Sequence, residues 1–406
     1  VADRADRIRF LAARGAIVVS RPLALVIAAR LLGKDAANEF AQAIVAVGFG
    51  LIASAFDSGR LFYEAALDAE GTRAVAFHRY LGRLAISGAV GAAVSCALLW
   101  RGGSDLGVIA AAAAYFATER TVDERQRYLL VDARTREWSV MQLWRGALQV
   151  GITAAILGTI AWSGRGSVSW LLLGLAAANL AAIPAIRGMR VALRTAGSAR
   201  MVAHLSSRGA SSIGLHWALW ASGLMAATIG YGDRLMIALW DGADTASLVV
   251  TCSCLSLQSV VVSTFFFTPR RAAIVRREVP MSAFASRAYL VPAAAGLGAG
   301  AAFAAASLAA FGADARAPAS AIAAAGVASV ATTLAGMVRE VAYYRSAGRP
   351  LAAIDGGALA AAAGAAFGVW ASGMPVSVGF TALAAVQVAR AALLSFIAAG
   401  PAADNA

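Results

Sequence analysis

Residues Arg9–Leu32 read RFLAARGAIVVSRPLALVIAARLL. The run is long and apolar enough to cross a bilayer, which takes about 20 residues. Yet Arg14 lies inside it, and Arg21, followed by Pro22, lies near its centre. A guanidinium at mid-bilayer costs at least about 2.5–3.5 kcal/mol on insertion scales. Seven residues turn a helix through about 700°, so Arg14 and Arg21 share one face, about 10 Å apart along the axis. Arg7 continues the stripe. Arg14 stands only about four residues into the run. It fits either snorkelling to the surface or facing the interior. Arg21 is deeper and requires a wet cavity or a partner. Pro22 frees a backbone carbonyl and favours a bend, which suits a cavity wall.

The rest of the chain has the same character. Of 406 residues, 60% are hydrophobic and 14% charged, where a soluble domain carries about 25% charged. Mean hydropathy is +0.70. Apolar runs recur throughout and predict spans at about 10–32, 38–56, 82–100, 105–122, 140–161, 167–186, 212–231, 245–267, 284–308, 318–340, 351–371 and 376–398. The first run is read as a retained span and not a cleavable signal. It is too long for an h-region, contains arginines and lacks a small-x-small cleavage site with a soluble domain behind it.

The net charge of +13 would suggest nucleic acid in a soluble protein. Here it is explained by position. Assigned to alternate loops, the basic residues number 25 on one side, against six on the other: Arg30, Lys34, Arg101, Arg165, Arg234 and Arg316. Such alternation supports twelve spans with both termini cytoplasmic. Outer loops are about fifteen residues at most and inner loops about 25, so no extramembrane catalytic domain is expected. A basic amphipathic stretch, RGMRVALRTAGSARMVAHLSSRGA, falls near the chain midpoint. The expected organisation is an N-terminal six-helix lobe (1–190), a basic cytoplasmic linker or interfacial helix (191–211) and a C-terminal six-helix lobe (212–406). The fold class is all-α polytopic membrane protein, with the lobes around a central cavity.

Cys96, Cys252 and Cys254 lie in apolar segments and read as small packing residues. No Walker A loop, metal-ligand spacing or Gly-x-Ser-x-Gly elbow is present. A transporter without cofactor or metal is expected, and not an enzyme. Further embedded polar residues are Glu39, Gln42, Arg145, Gln149, His216 and Gln258, with Asp233–Arg234 closing the seventh span. Arg145 lies one turn into its span, where snorkelling also fits. His216 among tryptophans also reads as an interface residue, and Asp233–Arg234 as a solvated helix end. Glu39, Arg145 and His216 join Arg14 and Arg21 as candidate substrate contacts. Pro22, Asp57, Asp233 and Arg234 are candidate gating or structural residues. Cation outweighs anion in the first two spans, and a cavity so lined attracts an anionic substrate. Arginine's planar fork suits phosphate oxygens.

Three stretches carry a resemblance. ARLLGKDAANEF (Ala29–Phe40) is similar to an Arg-x-Leu-Gly turn between spans one and two. FDSGRLFYEAAL (Phe56–Leu67) is similar to an Asp-x-Gly stretch closing span two. YGDRLMIAL (Tyr231–Leu239) is similar to an Asp-Arg pair following span seven. With the span layout, these resemble the Wzx-type polysaccharide flippases of the MOP superfamily, which also holds the MATE exporters and the lipid II flippase. The resemblance implies translocation of an undecaprenyl-pyrophosphate-linked oligosaccharide, such as an O-antigen, lipopolysaccharide or exopolysaccharide unit, across the bacterial inner membrane. It implies alternating access between two lobes, with Arg14 and Arg21 holding the pyrophosphate. The implied partners are the lipid-linked oligosaccharide, membrane lipids, a polysaccharide polymerase and other assembly proteins, with no nucleic acid. A MATE-like cation antiporter would want a buried carboxylate early in the first lobe, and only Glu39 offers one. A membrane polymerase or ligase would want a large outer loop. A major-facilitator transporter would want a denser Arg motif after span two. The topology is testable: reporter fusions after Arg200 should read cytoplasmic and fusions near Gly102 external, and the reverse pattern refutes it.

Overall fold

The computed structural model describes residues 4–54, 88–131, 135–163, 167–182, 213–239, 245–267, 270, 273–274, 278–311, 317–345 and 348–399. Among these there is no strand. The long helices are α1 (Arg4–Leu31), α2 (Lys34–Ala53), α3 (Gly88–Arg101), α4 (Leu106–Val131), α5 (Thr135–Ser163) and α6 (Val168–Ala181). They continue with α7 (Ile213–Gly230), α8 (Thr245–Phe267), α9 (Arg287–Ala310), α10 (Ala319–Arg345), α11 (Gly348–Ala371) and α12 (Val376–Ala399). A short helix, Gly232–Leu239, follows α7 after the break at Tyr231. The protein is an all-helical, multi-pass membrane protein.

Eight described helices are long and apolar enough to cross a membrane, and α3, α6 and Ala221–Gly230 are shorter apolar helices. The expected fourth span fails that test because Glu119 and Arg120 lie within it and Asp123 follows directly. Beyond residue 122, α4 carries Asp123, Glu124 and Arg125 to Val131. Arg120 and Arg125, which the loop tally counts as inner-loop cations, are buried, as is Glu124. Arg120 donates to the Ser54 carbonyl at 3.1 Å and pairs with Glu124 at 3.1 Å. Arg339, also counted as a loop cation, is inside the bundle on α10. The loop tally therefore overstated the solvated cations on that side. The expected linker, 191–211, and Asp57 lie outside the described residues.

Helix hairpins explain the short connections. Among the described residues, positive φ occurs at Gly33 (89°), Gly103 (77°) and Gly373 (63°), which close the α1–α2, α3–α4 and α11–α12 turns. Only glycine adopts this conformation without a Cβ penalty. Gly33 is the glycine of the ARLLGKD stretch, so that motif has a backbone cause. The α4 start is capped by Asp105, whose Oδ1 accepts from the Val108 amide at 2.8 Å. Exposed Trp100, Trp162, Trp170 and Trp370 stand at the ends of hairpins α3–α4, α5–α6 and α11–α12. Tryptophan prefers the membrane–water interface, and these rings mark one edge of the apolar band.

Packing follows a pattern that the sequence did not reveal. In the first half, α1 packs on α5, α4 on α6 and α5 on α6. In the second half, α7 packs on α11, α10 on α12 and α11 on α12. These are the same pairs, displaced by six helices. The halves meet where α1 and α2 contact α8, and α2 contacts α7. At that seam the Asn38 side chain accepts from the Ala246 amide at 2.9 Å, and Phe49 lies 6.5 Å from the Tyr231 ring. Helix α8 is the most enclosed of the eight apolar helices, with 67% of its apolar window buried, against 11% for α11. The largest buried cluster joins Phe40, Val45 and Val47 of α2 to Val249, Val250 and Cys252 of α8.

The α1–α5 contact is close because Gly146 faces Ala16. A Cβ built on Gly146 would lie 2.9 Å from the Ala16 Cβ. Small residues allow such approach where lipid supplies no hydrophobic drive. Gly146→Leu should therefore cost about 1–3 kcal/mol by overpacking. The readout is thermal unfolding in detergent; an unchanged midpoint refutes the close crossing.

Candidate functional site

Four helices of the first half converge on one carboxylate. Arg21 of α1 and Arg145 of α5 both direct Nη2 at Glu119 Oε1 of α4. The other carboxylate oxygen, Oε2, accepts from Asn179 Nδ2 of α6 at 3.0 Å. Arg145 Nε donates to Asn179 Oδ1 at 2.9 Å, and Gln149 Nε2 donates to the same oxygen at 3.1 Å. Ser20 donates to Gln149 Oε1 at 2.9 Å. Local helix geometry arranges the donors. Arg145 and Gln149 are four apart on α5 and face α6 together. Ser20 and Arg21 are neighbours that reach different members of the network.

Burial is unequal. The side chains of Arg145 and Glu119 are 2% and 3% exposed, and that of Arg21 is 28% exposed. Arg145 does not snorkel, as its position one turn into the span allowed; Glu119 and Asn179 hold it inside. Arg21 has the partner that its depth required.

A second carboxylate cluster occupies the other half. Asp355 of α11 accepts from Arg390 of α12 at 2.7 and 2.9 Å and from Arg339 of α10 at 2.9 Å. Ser222 of α7 donates to Asp355 at 2.7 Å. The helices contributing are α7, α10, α11 and α12, the six-helix counterparts of α1, α4, α5 and α6. Charge types are redistributed among them: the acid sits on α4 in one half and on α11 in the other.

Two adjoining cavities lie at the seam. One, about 350 Å³, extends toward the first half and has Arg14, Arg21, Arg145 and Arg234 in its wall against Glu119 and Asp123. The other, about 420 Å³, extends toward α10 and carries hydroxyls from Ser256, Ser259, Ser263, Ser329, Thr332 and Thr333. Its charges balance, Arg14 and Arg234 facing Asp233 and Glu340. Arg14, Arg234, Ser256 and Val260 belong to both walls. Asp355 and Arg390 belong to neither wall.

Helix α8 is irregular where it borders these spaces. It breaks at Ser256 and ends in a π-helical turn, Ser263–Phe267. Irregular backbone at membrane depth persists where it is buried or lines a wet cavity. The hydroxyls help. Ser256 donates to the Ser253 carbonyl at 2.6 Å and Ser259 to the Ser256 carbonyl at 2.7 Å. Their lone pairs remain available as acceptors.

The predicted residues fare differently. Arg14, Arg21, Arg145, Asp233 and Arg234 come together at the cavities. Arg14 donates to Ser263 Oγ at 2.8 Å and lies 5.7 Å from the Trp138 ring, so it is held inside and does not snorkel. Pro22 is buried behind Arg21. The carbonyl that it leaves without an intrahelical donor is that of Val18, which lines the first cavity. Asp233 is not a solvated end. It is buried, because the chain turns into a new helix at Gly232 that packs on α8, α12 and α2. Arg234 lies over the Tyr231 ring at 4.9 Å. Glu39, in the second turn of α2, is outside both walls. The His216 side chain and Asp57 lie outside the described residues.

Sequence reasoning missed Glu119, Asn179, Asp355 and the hydroxyl wall. Glu119 sits inside the predicted span 105–122, and a carboxylate there was the available signal. Neither a family model, nor a curated protein, nor a solved structure matches this chain.

The two clusters should respond differently. Asp355→Asn leaves two enclosed guanidiniums without a carboxylate, which costs about 3–5 kcal/mol. It should lower the unfolding midpoint sharply. Arg21→Ala removes a partly exposed cation while Arg145 still neutralises Glu119, and should shift the midpoint less. Equal shifts would refute the distinction.

Proposed function

We propose that this protein translocates an anionic lipid-linked oligosaccharide across the bacterial inner membrane for surface polysaccharide assembly. The observation that carries the reading is the seam cavity with four arginines against two carboxylates in its wall. A cavity of that sign in a low-dielectric setting concentrates anions. Arginine's fork fits the diphosphate of a polyprenyl carrier. The adjoining hydroxyl wall, neutral in balance, offers acceptors to sugar hydroxyls. The lipid tail stays in the bilayer beside the bundle.

Two six-helix lobes rocking about the α1–α2/α7–α8 seam would give alternating access. The repeated helix pairs and the paired carboxylate clusters support this arrangement. The excess of basic residues on one side favours cytoplasmic termini. The Wzx-type resemblance points the same way, and a polysaccharide polymerase would act on the product.

The antiporter reading gains a buried carboxylate in Glu119. Two guanidiniums already occupy it, which leaves no net negative site for a cation. Arg21→Ala should abolish complementation of a flippase-null strain while the protein remains at normal levels in the membrane. Full complementation by that variant sinks the proposal.

A further inference from the structure

The geometry points to Glu119 as a built-in counter-anion that occupies Arg21 between substrates and must release it for the substrate's diphosphate to bind. The inference rests on the anionic-substrate reading above and names a positioning residue for that site.

Three observations lead there. First, Arg21 is the member of the cluster that reaches out. Arg21, Arg145 and Glu119 all line the cavity, but the Arg21 side chain is 28% exposed, whereas those of Arg145 and Glu119 are 2% and 3% exposed. Second, Arg21 is incompletely matched. Its Nε is buried without an acceptor among the described residues. Glu119 gives Arg21 one oxygen, Oε1, and that oxygen also faces Arg145. A guanidinium has five N–H donors arranged to grip two oxygens side by side. A diphosphate supplies that pair, and Glu119 as placed does not. Third, Glu119 is stable without Arg21. It keeps Arg145 at Oε1 and Asn179 Nδ2 at Oε2, so losing Arg21 leaves no uncompensated buried charge.

The exchange is therefore cheap in one direction and reversible in the other. An incoming diphosphate takes Arg21 while Arg145 and Asn179 hold Glu119 in place. When the ligand leaves, Glu119 lies at hand to recapture the cation. This avoids a bare guanidinium in the membrane interior, which is costly. It also weakens ligand binding enough for release, because affinity is reduced by whatever the internal partner contributed.

The Asp355 cluster provides a matched control. It has a carboxylate, two arginines and a neutral donor, but Asp355 and Arg390 belong to neither cavity wall. Nothing there should compete with a ligand.

The test is equilibrium binding to the full chain in nanodiscs, titrating a short prenyl diphosphate and, separately, inorganic pyrophosphate. Glu119→Gln should bind both about tenfold more tightly than the unaltered protein, and transport should fall because release slows. Glu119→Asp, which keeps the charge but withdraws it by one methylene, should gain less and guards against misfolding of the first variant. Asp355→Asn, assayed at a temperature where it remains folded, should show no gain; a gain there assigns the effect to net charge and overturns the inference. Tighter binding is not an effect that a structural defect produces. Unchanged or weaker binding by folded Glu119→Gln and Glu119→Asp overturns the inference. So does a gain confined to the prenyl ligand, which would assign the effect to the tail. Loss of binding in Arg21→Ala without any gain at Glu119 removes this inference alone. If no form binds either diphosphate, the anionic-substrate reading falls with it.

Discussion

The arrangement of the first half depends on the neutralisation of two guanidiniums by a single buried carboxylate. Arg21 and Arg145 lie on different helices, and each would be expensive in hydrocarbon. Glu119 offsets both only if α1, α4 and α5 approach closely, and Asn179 completes the network only if α6 joins them. The small residues Ala16 and Gly146 permit the approach. Electrostatics and packing are thus one constraint: either alone would leave a charge unpaired or a gap unfilled.

The second half meets an equivalent constraint with different letters. Asp355, Arg339, Arg390 and Ser222 sit on the counterparts of the four helices used in the first half. The positions of acid and base are exchanged among those helices. What is shared is the set of helices that meet and the need to satisfy charge where they do. One cluster opens onto the cavity through Arg21, and the other is closed off. That asymmetry separates a site able to exchange partners from one that holds helices together.

Between the halves, α8 is the most enclosed and also the most irregular apolar helix. Its break at Ser256 and its π turn at Ser263 place hydroxyls against both cavities. The resulting space is cationic toward one half and hydroxyl-rich toward the other. A ligand with a charged head and a neutral polar body matches that division.

Much of this was legible in the chain itself. Apolar run length gives the membrane class, and Gly33, Gly103 and Gly373 mark hairpins through a backbone property that belongs to the residue. The depth of Arg21 alone demands a partner or water. These are local features, dictated by composition, spacing and conformational preference along one helix. The identity of the partner is not local. Arg21 and Glu119 are 98 residues apart, and no periodicity links them. Asp233 looks like a solvated helix end until the fold packs the following short helix against α2, α8 and α12. Likewise, Arg120 and Arg339 count as surface cations until neighbouring helices enclose them. The sequence determined that this protein lives in a membrane and carries cations that its interior must satisfy. Only tertiary packing decided which carboxylates satisfy them and which arginine remains exposed to a ligand, because burial and pairing arise from helices meeting across the bundle.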